Sequence, residues 1–130
     1  MNVIVVVNDS LRKDHVGCYG NKWIKTPNID RLAAEAAVFD EFYPEGLPTI
    51  PVRTAFMTGR FTLPFLGWQM IEHTDVLLSE VLWDQGLTTA FITDCFHMHK
   101  PTFGFERGFD YVEYIRGHEE DPHIIDTSIK

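Results

Sequence analysis

Thr49, Pro51 and Arg53 are spaced i, i+2 and i+4 within Leu47-Pro48-Thr49-Ile50-Pro51-Val52-Arg53-Thr54-Ala55-Phe56-Met57-Thr58-Gly59-Arg60. A hydroxyl leaves a proline-rich loop, and a short helical pattern follows that Gly59 can close. Pro51 suits a first helical turn, where its missing N–H has no intrahelical partner to lose. Thr49 then sits at or just before a helix N-terminus, where free N–H groups and the helix dipole favour an anion. Arg53 lies one turn on and on nearly the same face, so its guanidinium can reach back toward Thr49. A hydroxyl, a helix N-terminus and an arginine together suit attack on a sulfate or phosphate ester. The competing role for Thr49 is a simple helix cap.

Two further positions belong with this group. Asp9 follows the β-branched run Val3-Ile4-Val5-Val6-Val7, which has the pattern of a parallel strand buried on both faces. Ligands in open α/β sheets bind beyond the carboxyl ends of strands, so Asp9 is placed to hold a metal, or else to be a helix cap or turn residue. His97 and His99 follow Leu87–Thr93 and Asp94, a second apolar run with a polar end. Two imidazoles at i, i+2 could bind a metal, although no third ligand is adjacent, or be ordinary loop histidines.

The elements that position these residues can be read in order. Thr26 caps a helix with Pro27 in its first turn, and Ile29, Leu32, Ala33 and Ala36 form the face expected to pack on a sheet. Val38–Tyr43 reads as a strand. Thr74 caps another helix, with Leu77, Leu78, Val81 and Leu82 inward and Gly86 as its stop. Phe103 to Gly117 is aromatic and punctuated by glycine, and is expected to form a covering loop at the sheet edge. The reading is α/β: a mostly parallel sheet flanked by helices on both faces, with Asp9, Thr49 and His97 converging at its carboxyl edge.

Composition narrows the function. The chain has 130 residues and a net charge of -8, which argues against a nucleic-acid surface. Cys18 and Cys95 form no disulfide scaffold and have no zinc-like spacing. No run reaches membrane-spanning length, and the first apolar run is too short for a signal-peptide core, so no membrane partner and a cytoplasmic location are expected.

The motifs also resemble the sulfatase family of the alkaline phosphatase superfamily. Thr-x-Pro-x-Arg with Thr58-Gly59-Arg60 is similar to that family's Cys/Ser-x-Pro-x-Arg signature with Thr-Gly-Arg, but carries Thr where the family has Cys or Ser. Asp9-Ser10-Leu11-Arg12-x-Asp14-His15-x-Gly17-Cys18-Tyr19-Gly20, Thr26-Pro27-Asn28-Ile29-Asp30-Arg31-Leu32-Ala33 and Phe105-Glu106-Arg107-Gly108-Phe109-Asp110 match family segments too. His97 aligns with the histidine of the family's Gly-Lys-x-His motif. Cys95 falls where the lysine belongs, and Lys100 lies three residues beyond His97.

The resemblance implies that residues 1–130 are the N-terminal part of one incomplete sulfatase-like catalytic domain. The remaining metal ligands would belong to a C-terminal part that this chain lacks. It implies a metal-dependent hydrolase of small-molecule sulfate or phosphate esters, with Thr49, Arg53 and His97 in the chemistry and Asp9 on a divalent metal ion. That ion would be calcium in a sulfatase, and zinc or manganese in a phosphodiesterase. Family members oxidise the Cys or Ser to formylglycine. Thr49 cannot become that aldehyde, because its carbinol carbon already bears a methyl group. A threonine nucleophile is similar to that of phosphodiesterases and phosphoryl transferases in the superfamily, which form the alternative reading. A non-catalytic sulfatase-like module is the other alternative. The isolated chain is expected to be a poor catalyst and to bind divalent metal weakly.

Overall fold

Residues 2–7 are exposed and carry no regular structure, and the first helical turn comes at Lys13–His15. A computed structural model describes residues 2–63 and 66–115. These fall into two compact units, residues 1–43 and residues 44 onward.

In the first unit, short 3-10 turns at Lys13–His15 and Gly17–Tyr19 precede helix α1, Pro27–Glu35. Thr26 is its N-cap residue and Pro27 its first helical position. The Thr26 hydroxyl works outward, accepting the Gly17 N–H at 2.8 Å and donating to Asp30 at 3.0 Å. Asp30 also accepts the Cys18 N–H at 2.7 Å, tying the 3-10 turns to α1. Val3–Val7 joins no ladder, contrary to the expected buried strand, and Ile4 is 86% exposed. Val38–Tyr43 is likewise no strand. A strand of this composition needs a paired neighbour and covered faces, and among its described residues this unit has no strand to pair with. The apolar face of α1 is also open rather than packed on a sheet, with Leu32 69% exposed.

The second unit contains α2 (Thr49–Thr58), α3 (Leu78–Asp84), β1 (Ala90–Thr93), the short α4 (Phe96–His99) and β2 (Tyr111–Tyr114). Gly59 and Gly86 adopt positive φ after α2 and α3, where a side chain would strain the left-handed turn. The second helix starts later than its Thr74 signal. The Glu80 carboxylate accepts the Leu77 N–H at 2.9 Å, which fixes that later start. Leu77 and Ser79 are buried, whereas Leu78 and Val81 face out.

Strands β1 and β2 are parallel, with Ala90 opposite Tyr111 and Thr93 opposite Tyr114. Residues 94–110 cross over between them, and such a crossover is what parallel pairing requires. Only Ala90–Thr93 of the apolar 87–93 run is in register, and Ile92 faces out while Phe91 and Thr93 turn inward. Tyr111–Tyr114, expected within a covering loop, is instead the sheet's second strand. Arg116, Gly117 and the chain's end lie outside the described residues. The core gathers Ile50, Ile71, Leu77, Met98 and Phe105, with Met57, Phe91, Cys95 and Phe103 packed around them. Helices with a parallel strand pair make this an α/β arrangement.

Candidate active site

Thr49 is the first residue of α2, and Pro48 occupies the N-cap position. The Pro48 carbonyl accepts the Val52 N–H at 3.3 Å, closing the first turn. Thr49 therefore lies inside the helix start and not at the cap. Arg53 follows one turn later on the same helix, its guanidinium carbon 5.9 Å from the Phe56 ring centre. Ile50 and Met98 anchor the chain on either side of this region. Each is buried in the same core cluster, Ile50 immediately after Thr49 and Met98 immediately after His97. The candidate nucleophile and the candidate histidine thus both adjoin residues of one core.

His97 lies on α4, half-buried among rings. Trp68 meets it edge-on, with centroids 5.2 Å apart and planes at 88°. Phe96 and Phe103 approach at 5.9 Å and 6.5 Å. Cys95 caps α4, donates its N–H to the Thr93 hydroxyl at 3.0 Å, and packs on the core. The position of the family lysine is therefore a core-facing thiol. The Lys100 ammonium lies 4.4 Å above the Phe96 ring. Arg60, from Thr58-Gly59-Arg60, is engaged by the buried carboxylate of Asp75.

Asp9 belongs to the first unit and lies in an exposed turn, where its carboxylate accepts the Ser10 hydroxyl at 3.3 Å. Asp14 is committed elsewhere: Arg12 donates to both its oxygens at 2.9 and 2.6 Å, and His15 lies at 3.0 Å. The Arg12 guanidinium, then His15, holds the Asp14 carboxyl far below its usual range. Among the described residues no group of three or more His, Cys, Asp or Glu is arranged to hold a metal ion. Calcium takes six to eight oxygen ligands, so a single carboxylate at Asp9 does not by itself fit one.

Residues 107–110 bind α3 and the residue that precedes β1. Arg107 donates from Nε and Nη2 to the two Glu80 oxygens at 3.0 and 2.9 Å, and from Nη1 to the Glu72 carbonyl at 3.0 Å. Ser79 donates to the Arg107 carbonyl at 2.6 Å. One residue on, Gly108 accepts the Thr89 hydroxyl at 2.8 Å, and Asp110 accepts the Thr89 N–H at 2.8 Å and the Trp83 indole N–H at 3.0 Å. Phe-Glu-Arg-Gly-Phe-Asp is thus a clasp that fastens α3 to the start of β1, the strand that leads into α4. Its sequence signal was Glu80 within the first turn of an amphipathic helix, the position of a carboxylate serving helix-start N–H groups.

The Arg107 guanidinium, then the Leu77 N–H, holds the Glu80 carboxyl below its usual value, against the opposing effect of burial. The Thr89 N–H does the same for Asp110. Depressed carboxyls stabilise a fold above their unfolded values and lose that contribution as pH falls through the lowered ones. The melting temperature should therefore stay level from neutral pH to about pH 5 and drop below about pH 4, near the ordinary carboxylate range. Glu80→Gln should shallow that drop. An unchanged acid slope in the variant would show that the Arg107–Glu80 pair does not contribute to it.

A family model described as Sulfatase matches residues 1–124. Human steryl-sulfatase is 34% identical over 105 residues, spanning 70% of this chain and 18% of that protein. Human iduronate 2-sulfatase is 38% identical over 60 residues, 46% of this chain and 11% of that protein. Human arylsulfatase D is 28% identical over 136 residues, 85% of this chain and 22% of that protein. The chain thus matches between 11% and 22% of the length of these relatives. No solved structure matches it.

Proposed function

Because the chain belongs to the sulfatase family, we propose that it supplies the nucleophile side of a metal-dependent ester hydrolase, with Thr49 as the attacking residue. The carrying observation is local: Thr49 opens α2, Arg53 follows one turn later, and Ile50 and Met98, the chain neighbours of Thr49 and His97, are buried in one core. Residues 1–130 then form the N-terminal part of a single catalytic domain. Asp9 is the ligand this part contributes to a divalent metal ion, calcium being the family's choice. The further ligands come from outside these residues.

The Thr49 Oγ attacks sulfur or phosphorus, the bond to the leaving ester oxygen breaks, and the threonine proton ends on the leaving alcohol. Arg53 and the α2 N-terminus stabilise the negative charge on the transferring group. His97 faces the ester oxygens. In the second half, water adds its oxygen to the same sulfur or phosphorus, the bond from that atom to Thr49 Oγ breaks, and one water proton ends on the released Oγ. An aldehyde hydrate can expel sulfate by collapsing to the carbonyl, and a threonine ester has no such exit. Thr49 therefore favours phosphate diesters as the second reading, since phosphoryl transfer relies chiefly on positioning and charge neutralisation.

Turnover of a paired aryl sulfate and aryl phosphodiester by the full-length protein tests this. Arg53→Ala should lower the preferred activity by roughly 10²–10³-fold, the scale of one lost transition-state donor. Undiminished turnover in Arg53→Ala would remove the arginine from the chemistry.

A further inference from the structure

The rings around His97 form a wall that the reaction as proposed does not use. Trp68 sits in a loop, its edge-on contact with His97 holding one part of the indole while the residue stays 47% exposed. Phe96 is also exposed and its ring lies 5.9 Å from the imidazole, with the Lys100 ammonium above it. A half-open indole beside a polar group offers a flat apolar surface to one end of a ligand and a charged region to the other. An aryl ester of sulfate or phosphate has that shape: a planar apolar leaving group and a compact anion.

We propose that Trp68 determines leaving-group specificity, its exposed indole packing against an aromatic leaving group while its edge contact sets the plane of the His97 imidazole. This rests on the reading that His97 faces the ester. Aromatic pairs contribute beyond area burial, enough for a preference of roughly 3- to 10-fold for an aryl over a methyl ester. Trp68→Phe should keep most of that preference, because a ring remains. Trp68→Ala should reduce it to about twofold or less.

The test is NMR titration of the full-length protein with phenyl sulfate and with methyl sulfate, following the His97 ring and the Trp68 indole N–H. Expected in the parent are shifts at His97 with both esters and at Trp68 with the aryl ester alone, with the tighter Kd for phenyl sulfate. A preference that survives intact in Trp68→Ala, or equal affinity for the two esters in the parent, overturns the role of Trp68 and leaves the site standing. Silence at His97 with both esters overturns the site reading itself, and the proposal with it. His97→Ala should weaken both esters alike. A selective loss of the aryl ester in that variant would move the specificity from Trp68 to the imidazole.

Discussion

Gly108→Ala is expected to destabilise the protein by roughly 2–5 kcal/mol, the sum of a left-handed backbone penalty and an overpacked contact. Gly108 has φ +74, and a Cβ there would lie 2.4 Å from the Glu80 nitrogen and 2.7 Å from the Ser79 carbonyl carbon. Those are backbone atoms at the start of α3, so no side chain can swing aside. Gly104 supplies the control. It has nearly the same φ, +77, but its Cβ would meet nothing closer than 3.7 Å. Gly104→Ala should therefore cost only the backbone part, about 1–2 kcal/mol. Urea unfolding of the two variants beside the parent measures the difference. Equal losses would mean that the clasp gives way freely at Gly108, and that α3 is not pinned there.

The second large effect falls on activity. Thr49→Ala should reduce turnover of the preferred ester by roughly 10³-fold or more, as expected when a nucleophile is removed from a group of residues acting as a unit. Thr49→Ser keeps the hydroxyl and should retain much of the rate. Thr49→Cys, co-expressed with a formylglycine-forming enzyme, should create or raise sulfatase activity, because Pro51 and Arg53 already complete the Cys-x-Pro-x-Arg pattern. Steady-state rates on paired aryl sulfate and phosphodiester substrates separate these outcomes. Full activity in Thr49→Ala would reduce Thr49 to a helix-start residue and favour the non-catalytic module.

What could be read from the sequence is what depends on near neighbours. Thr26-Pro27 marks the start of α1, Gly59 and Gly86 mark helix ends, and Thr49 with Arg53 falls on one helix, because each signal acts within about one turn. What was missed depends on distant partners. Val3–Val7 has the composition of a buried strand, yet composition does not supply a neighbouring strand, and strand preference follows context. The aromatic residues and glycines before Tyr111 hid the short alternation of β2. Arg107 and Glu80 are separated by 27 positions, so neither marks the other. The same limit applies at the site: the Thr49–Arg53 spacing is local, whereas the Trp68–His97 contact exists only once β1 and α4 are placed.

If Thr49 Oγ is the nucleophile, a covalent intermediate forms on it during turnover. The full-length protein, quenched in acid during turnover of its preferred aryl ester, can be digested and mapped by mass spectrometry. One added phosphoryl or sulfo group is expected on the peptide containing Thr49, formed with the parent and with Thr49→Ser and absent in Thr49→Ala. Turnover that proceeds with the group on another residue, or with Thr49 unlabelled when release of the group is made rate-limiting, would contradict it.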